Sequence, residues 1–139
     1  MNDKPWDNEP DHVMFMSEAG YVCEIRRHPT LKHLNGYIYI PFGHPDYGKT
    51  YHDLHGYGDG GMYEDAPDVH GGWTYSHDGG DDDGGKFTIF GFDCGHAGDL
   101  SPGMPDMRFS EDIYRDIAFV TAQLERAAEQ FRQRKENPR

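Results

Sequence analysis

A chain of 139 residues has the length of one ordinary domain; only 35% of it is hydrophobic, but nine Tyr, eight Phe and two Trp supply area for a compact core. The formal charge of −12 argues against long nucleic acid as a partner, because phosphate backbones need clustered Lys and Arg; a small anion held by a few local cations or a metal stays open. No apolar run reaches the roughly 18 residues that span a bilayer, and the acidic N-terminal stretch lacks the basic-then-apolar order of an export signal. The expectation is therefore a cytoplasmic protein, not a membrane one, with Cys23 and Cys94 reduced.

Residues 1–12 read as a flexible tail, 13–134 as a single domain and 135–139 as a frayed C-terminus. Tyr21-Val22-Cys23-Glu24-Ile25 alternates large and polar groups as a half-buried strand does, and runs through Arg26, Arg27 and His28 to a stop at Pro29. A short turn follows around Leu31–Leu34. Asn35-Gly36 is the strongest short hairpin signal in the chain, leading into a strand over Tyr37–Ile40 that Pro41 closes. These two strands are expected to lie near one another. Residues 43–66 have no regular pattern, and an irregular connection of that length is often functional. Val69–Ser76 reads as a strand interrupted at Gly71-Gly72, and Lys86–Phe92 as another. Between them HDGGDDDGG is expected to be a solvated hairpin tip, since Asp81-Asp82-Asp83 lacks the spacing and closing Glu of an EF-hand.

The last element is a helix. Ser110 is placed as its N-cap, with Glu111 and Asp112 at the positive end of the dipole. Ile113, Ile117, Val120, Leu124, Ala127 or Ala128, and Phe131 recur as one apolar stripe, with Arg115, Asp116, Glu125, Arg126, Glu129 and Arg132 opposite. A helix of about six turns laid across an antiparallel sheet, with Gly/His-rich loops, makes the fold class α+β.

Two segments gather chemistry. In Val69-His70-Gly71-Gly72-Trp73-Thr74-Tyr75-Ser76, two residues without Cβ follow a histidine, so a ligand can approach the backbone and Gly71 and Gly72 can offer amides to a phosphate oxygen. A β-bulge would use Gly-Gly equally well. In Gly91-Phe92-Asp93-Cys94-Gly95-His96-Ala97-Gly98-Asp99, Asp93, His96 and Asp99 are spaced three apart among glycines. A turn there can place them around a divalent cation, or let a carboxylate orient His96 as a base. The alternative is that Asp93 and Asp99 cap turns while Cys94 packs as a small hydrophobe. Cys94 beside His96 is a weaker candidate for a nucleophile, because the local charge is negative. A hairpin joining the two segments would bring His70 near Asp93. Six of the nine histidines fall between His44 and His96, yet none has zinc-site spacing. Tyr47, Tyr51, Tyr57, Tyr63, Trp73 and Tyr75 can supply flat walls for a nucleobase, or simply pack. P-loop, dinucleotide-binding and nucleophile-elbow motifs are absent.

The order GYIYIPFGHPDYG, DVHGGWTYS, GFDCGHAGD and then a helix containing YRDIAFV resembles a family of small proteins found in bacteriophage and prophage genomes, over roughly Gly20 to Leu124. The resemblance implies a phage accessory protein acting inside the bacterial cell. In that family the position of Cys94 also carries Thr, and His55–Asp65 here departs from the pattern by an extra Gly-rich loop. Taken together, the expectation is a phosphodiesterase-like hydrolase of a nucleotide-like defence signal. His70 and His96 would act as acid/base groups or metal ligands; Asp93 and Asp99 would orient them or share a divalent ion. Gly71, Gly72, Trp73, Thr74, Tyr75, His44 and Tyr51 would line the ligand site. The alternatives are a non-catalytic binding protein, possessing the same ligand site and assembled as a homo-oligomer, or an acidic inhibitor of a basic host protein.

Overall fold

The computed structural model describes residues 4–54, 67–77, 86–104 and 111–137. Its elements in chain order are β1 (His12–Met16), β2 (Val22–Arg27), β3 (Leu34–Pro41), a single helical turn α1 (Tyr51–Leu54), β4 (Tyr75–His77), β5 (Phe87–Asp93) and α2 (Ile117–Glu136). The strands form one antiparallel sheet in the order β1-β2-β3-β5-β4, and α2 lies on one face of it. This is the α+β architecture that the alternating segments and the apolar stripe predict.

Period-two alternation divides the sheet into two faces. Gly36, Ile38 and Ile40 of β3 pair in register with Cys23 and Ile25 of β2 and with Thr88, Phe90 and Phe92 of β5, and all of these, with Leu34, are buried. Against them α2 sets Val120, Leu124, Ala127, Ala128 and Phe131. Phe131 stacks on Phe90 at 5.8 Å between ring centroids and meets Trp73 at 5.9 Å. Helix and sheet approach closely because Gly36 has no side chain: a Cβ there would stand 2.6 Å from the Phe92 ring and 3.0 Å from Val120. Asn35-Gly36 is thus no turn. The reversal comes earlier, at 28–33, where His28 Nδ1 accepts from the N–H groups of Thr30 and Leu31 and Lys32 takes a positive φ of 69°.

The helix also begins later than its stripe suggests. Asp116, assigned above to the polar face, is the N-cap and accepts from the N–H of Phe119 at 2.8 Å. Ile113 is 54% exposed and bridges to Asp99, its N–H donating to the Gly98 carbonyl. Ser110 lies outside the described residues. Val69–Ser76 is likewise not one strand: the N–H of Gly72 closes a turn onto the Val69 carbonyl, both glycines take positive φ, and β4 starts only at Tyr75. The segment assigned to a tail makes specific contacts from Lys4 onward. Glu9 accepts from the N–H of Ile117, the hydroxyl of Tyr114 and Arg27, while Trp6 packs edge-on against Tyr114. The Asp81–Asp83 run and the loop His55–Asp65 lie outside the described residues. None of the helices described is long and apolar enough to cross a membrane.

The far end of α2 is tied down by buried charge. Asp46, fully buried, accepts from Arg134 at 2.6 and 2.7 Å and from Lys49 at 3.0 Å. Next to it His44 accepts the Asp46 N–H on Nδ1 and donates from Nε2 to the Phe131 carbonyl at 2.8 Å. Both ring nitrogens are spent on the backbone, so His44 is a clamp between loop and helix rather than a ligand-binding group.

Burial depresses the imidazole of His44 below its ordinary value of 6.5, with the Phe131 carbonyl and Asp46 opposing and Arg134 and Lys135 reinforcing the shift. Burial depresses His33 in the same direction. The unfolded chain therefore takes up these protons first. Their stabilising contribution is complete above pH 6.5 and is lost as pH falls below it toward the depressed folded values. Thermal unfolding measured against pH is expected to show a midpoint falling through this range, with a shallower slope in His44→Asn; an equal slope in the variant would reject the assignment.

Candidate functional site

At the end of the sheet where β5 runs out, two imidazole–carboxylate pairs meet. Asp99 is the hub of the first, with a side chain only 1% exposed. His70 Nε2 lies 2.8 and 3.0 Å from its two oxygens, Arg115 Nε donates to it at 2.9 Å, and the N–H of His96 donates at 3.1 Å. Because Asp99 only accepts, His70 must carry its proton on Nε2, which turns the Nδ1 lone pair outward. The His70 ring stands edge-on to Phe119 at 5.2 Å, and Arg115 lies over the other ring contact of that Phe, 4.9 Å from its centroid.

Asp93 centres the second pair. His96 Nε2 is 2.8 Å from Asp93 Oδ1, off the line of a hydrogen bond, and Thr74 Oγ1 donates to the same oxygen at 3.4 Å. The rings of His70 and His96 are 6.0 Å apart at 71°. His96 fits here because Gly71 has no side chain: a Cβ there would come within 2.3 Å of the His96 ring. The buried side-chain atoms left without a hydrogen bond among the described residues are His96 Nε2, His33 Nδ1 and Asn35 Oδ1. All three surround Asp93: Asn35 is its partner across the strands, and His33 Nε2 and Asp93 Oδ2 lie 2.8 and 3.2 Å from the place a Cβ on Gly95 would occupy.

The four residues expected at the centre, His70, Asp93, His96 and Asp99, are therefore brought together, but in an unexpected pairing. His70 joins Asp99 rather than Asp93. Two separate pairs do not make a metal shell, and among the described residues no group of three or more His, Cys, Asp or Glu converges as a ligand set. The glycines serve another purpose than phosphate binding: Gly72 spends its N–H on the turn, and the space beside Gly71 is filled by His96. Trp73 is core, 2% exposed, its indole N–H donating to the Pro67 carbonyl. Tyr51 packs against the core and receives the Ser76 hydroxyl as acceptor of its N–H. Cys94 is buried, and burial together with Asp99 and Asp93 pushes its thiol up to about 12, so it stays protonated and inert. Cys23 is also free and buried.

Arg115 escaped the sequence reading, which set it on the solvent face of a helix that had not yet begun. A second feature also escaped it. On the sheet face away from α2, a groove of about 430 Å³ is lined by Glu24, Arg26, Tyr37, Tyr39, Tyr75, His77 and Ile89. Tyr75 is the one ligand-site residue expected above that this groove contains. Strict alternation in β3 and β5 puts Asp93 on this same face, one step beyond Gly91, with the Tyr37 ring over Gly91 between the groove and Asp93.

Comparison of the chain with protein-family models, with curated proteins and with solved structures finds no match.

Gly71 takes φ 72° and faces the His96 ring, so Gly71→Ala meets both backbone strain and a clash. Chemical denaturation is expected to show a loss of about 1–3 kcal/mol, with the His96 ring resonances displaced. Unchanged His96 resonances would mean that the glycine does not hold the ring in place.

Proposed function

We propose that the protein hydrolyses a phosphodiester in a small nucleotide-like ligand, with His70 and His96 as the acid/base pair. One observation carries this reading: two imidazoles 6.0 Å apart, one hydrogen-bonded to Asp99 and the other 2.8 Å from Asp93, beside an arginine. His70, with Nε2–H held on Asp99, takes a proton from water on Nδ1. The water oxygen bonds to phosphorus as the bond from phosphorus to the leaving oxygen breaks, and protonated His96, paired with Asp93, gives its proton to that oxygen. Arg115 is anchored by Nε alone, and its terminal nitrogens have no hydrogen-bond acceptor among the described residues, so they are free to hold a phosphate oxygen. Asp99 and Asp93 are positioning residues in this scheme. By analogy with small phage proteins that counter host defence, the substrate we propose is a nucleotide-like defence signal.

The test is incubation of the protein with cyclic and linear nucleotides, with and without divalent cations, resolved by chromatography and mass spectrometry before and after heat denaturation. A new product mass is expected, with turnover lowered about 10²–10⁴-fold in His70→Ala and in His96→Ala. Intact nucleotide recovered only after heating would replace hydrolysis by sequestration. Turnover untouched in both variants would overturn the assignment of roles.

A further inference from the structure

We infer that the tyrosine groove on the sheet face away from α2 is a nucleobase subsite, with guanine as its preferred base. The inference deepens the phosphodiester reading and rests on it only for what happens at the histidine pair. The groove volume, about 430 Å³, falls in the range of small-molecule sites. Its walls are built rather than incidental. Tyr37 packs against Gly91, where a Cβ would stand 2.6 Å from the ring, and Tyr75 meets it edge-on at 5.6 Å and 86°. Tyr75 is 44% exposed, so a ring face is open for stacking.

The floor supplies the polar recognition. Glu24, with a side chain 5% exposed, sits on a face that nothing among the described residues covers. Its carboxylate accepts from Tyr39 at 2.7 Å and from His12 and Arg26 at 2.6 Å each. Arg26 is thereby fixed through Nε, and its terminal nitrogens have no acceptor among the described residues. A guanidinium held in this way presents two parallel donors, the arrangement that matches the O6 and N7 acceptors of guanine. Adenine offers a donor where guanine offers O6, and uracil has an N–H at N3; the adjacent O2 and N3 acceptors of cytosine make cytidine the competitor to compare with guanosine. A base seated here would share the sheet face on which Asp93 stands.

Nucleosides test the groove apart from the chemistry, because they carry no phosphate. Guanosine, adenosine, cytidine and uridine would be titrated into the full chain, following the Tyr ring resonances and the heat of binding. Saturable binding is expected, guanosine tightest, weakened about tenfold or more in Tyr75→Ala and in Arg26→Ala. Tyr75→Phe should restore it and His70→Ala should leave it unchanged. Failure of every nucleoside to saturate, or binding indifferent to Tyr75→Ala in a variant that unfolds at the wild-type temperature, would overturn the inference. Guanosine binding without turnover of any nucleotide would leave the subsite standing and remove the hydrolytic reading. Turnover that ignores Tyr75→Ala and Arg26→Ala would do the reverse.

Discussion

One helix cannot cover two faces of a sheet, and the molecule is organised around that constraint. The side chains that point toward α2 are apolar from strand to strand, so desolvation holds helix and sheet together. The side chains that point the other way are mixed: Tyr37, Tyr39, Glu24, Arg26, His12 and Asp93 share that face with Met14, Met16 and Ile89. Every feature with chemical potential follows from this asymmetry. The groove lies on the face away from α2, and Asp93 reaches the histidines because it ends the strand on that face.

Three buried carboxylates then fix what the core alone leaves loose. Asp46 pins the C-terminal end of α2 through Arg134; Asp99 joins the turn after Val69, the loop after β5 and the approach to α2; Glu24 braces β1 and β2 through His12 and Arg26. Burial alone would raise the Glu24 carboxyl, yet Tyr39, His12 and Arg26 together hold it below its ordinary value. Asp46 behaves alike, its two cations outweighing burial. Removing one partner of such a pair typically costs about 3–5 kcal/mol, because the remaining charge has no water to turn to. A chain of net charge −12 therefore places its scarce cations selectively: Arg134 and Arg115 each answer a carboxylate that solvent cannot reach.

Much of this architecture was legible because strand alternation and helical periodicity are local properties. Tyr21–Ile25, Tyr37–Ile40 and Val120–Phe131 state their faces in their own order of residues. The misreadings arose where a residue answers to something distant. Gly36 resembles a turn glycine until Phe92 and Val120 press on it from elements far along the chain. Ile113 keeps helical spacing with Ile117, yet Asp99 draws it into a bridge. His44 and Trp73 have the composition of a site and the contacts of a core. The two glycines after His70 read as room for a ligand to approach the backbone, but at Gly71 that room is taken by the His96 ring.

The way the candidate site is wired bears on its chemistry. Asp99 spends its acceptor capacity on His70, Arg115 and the His96 amide, and Asp93 serves His96 and Thr74. To gather all four side chains on one cation, both pairs would have to break, and Arg115 would lose its anchor. Left as they are, each carboxylate sets the orientation of one imidazole, and that division of labour suits two proton transfers at separate points better than one shared ligand shell. The buried atoms without partners around Asp93 mark where this wiring is incomplete. There a bound molecule would have hydrogen bonds left to make.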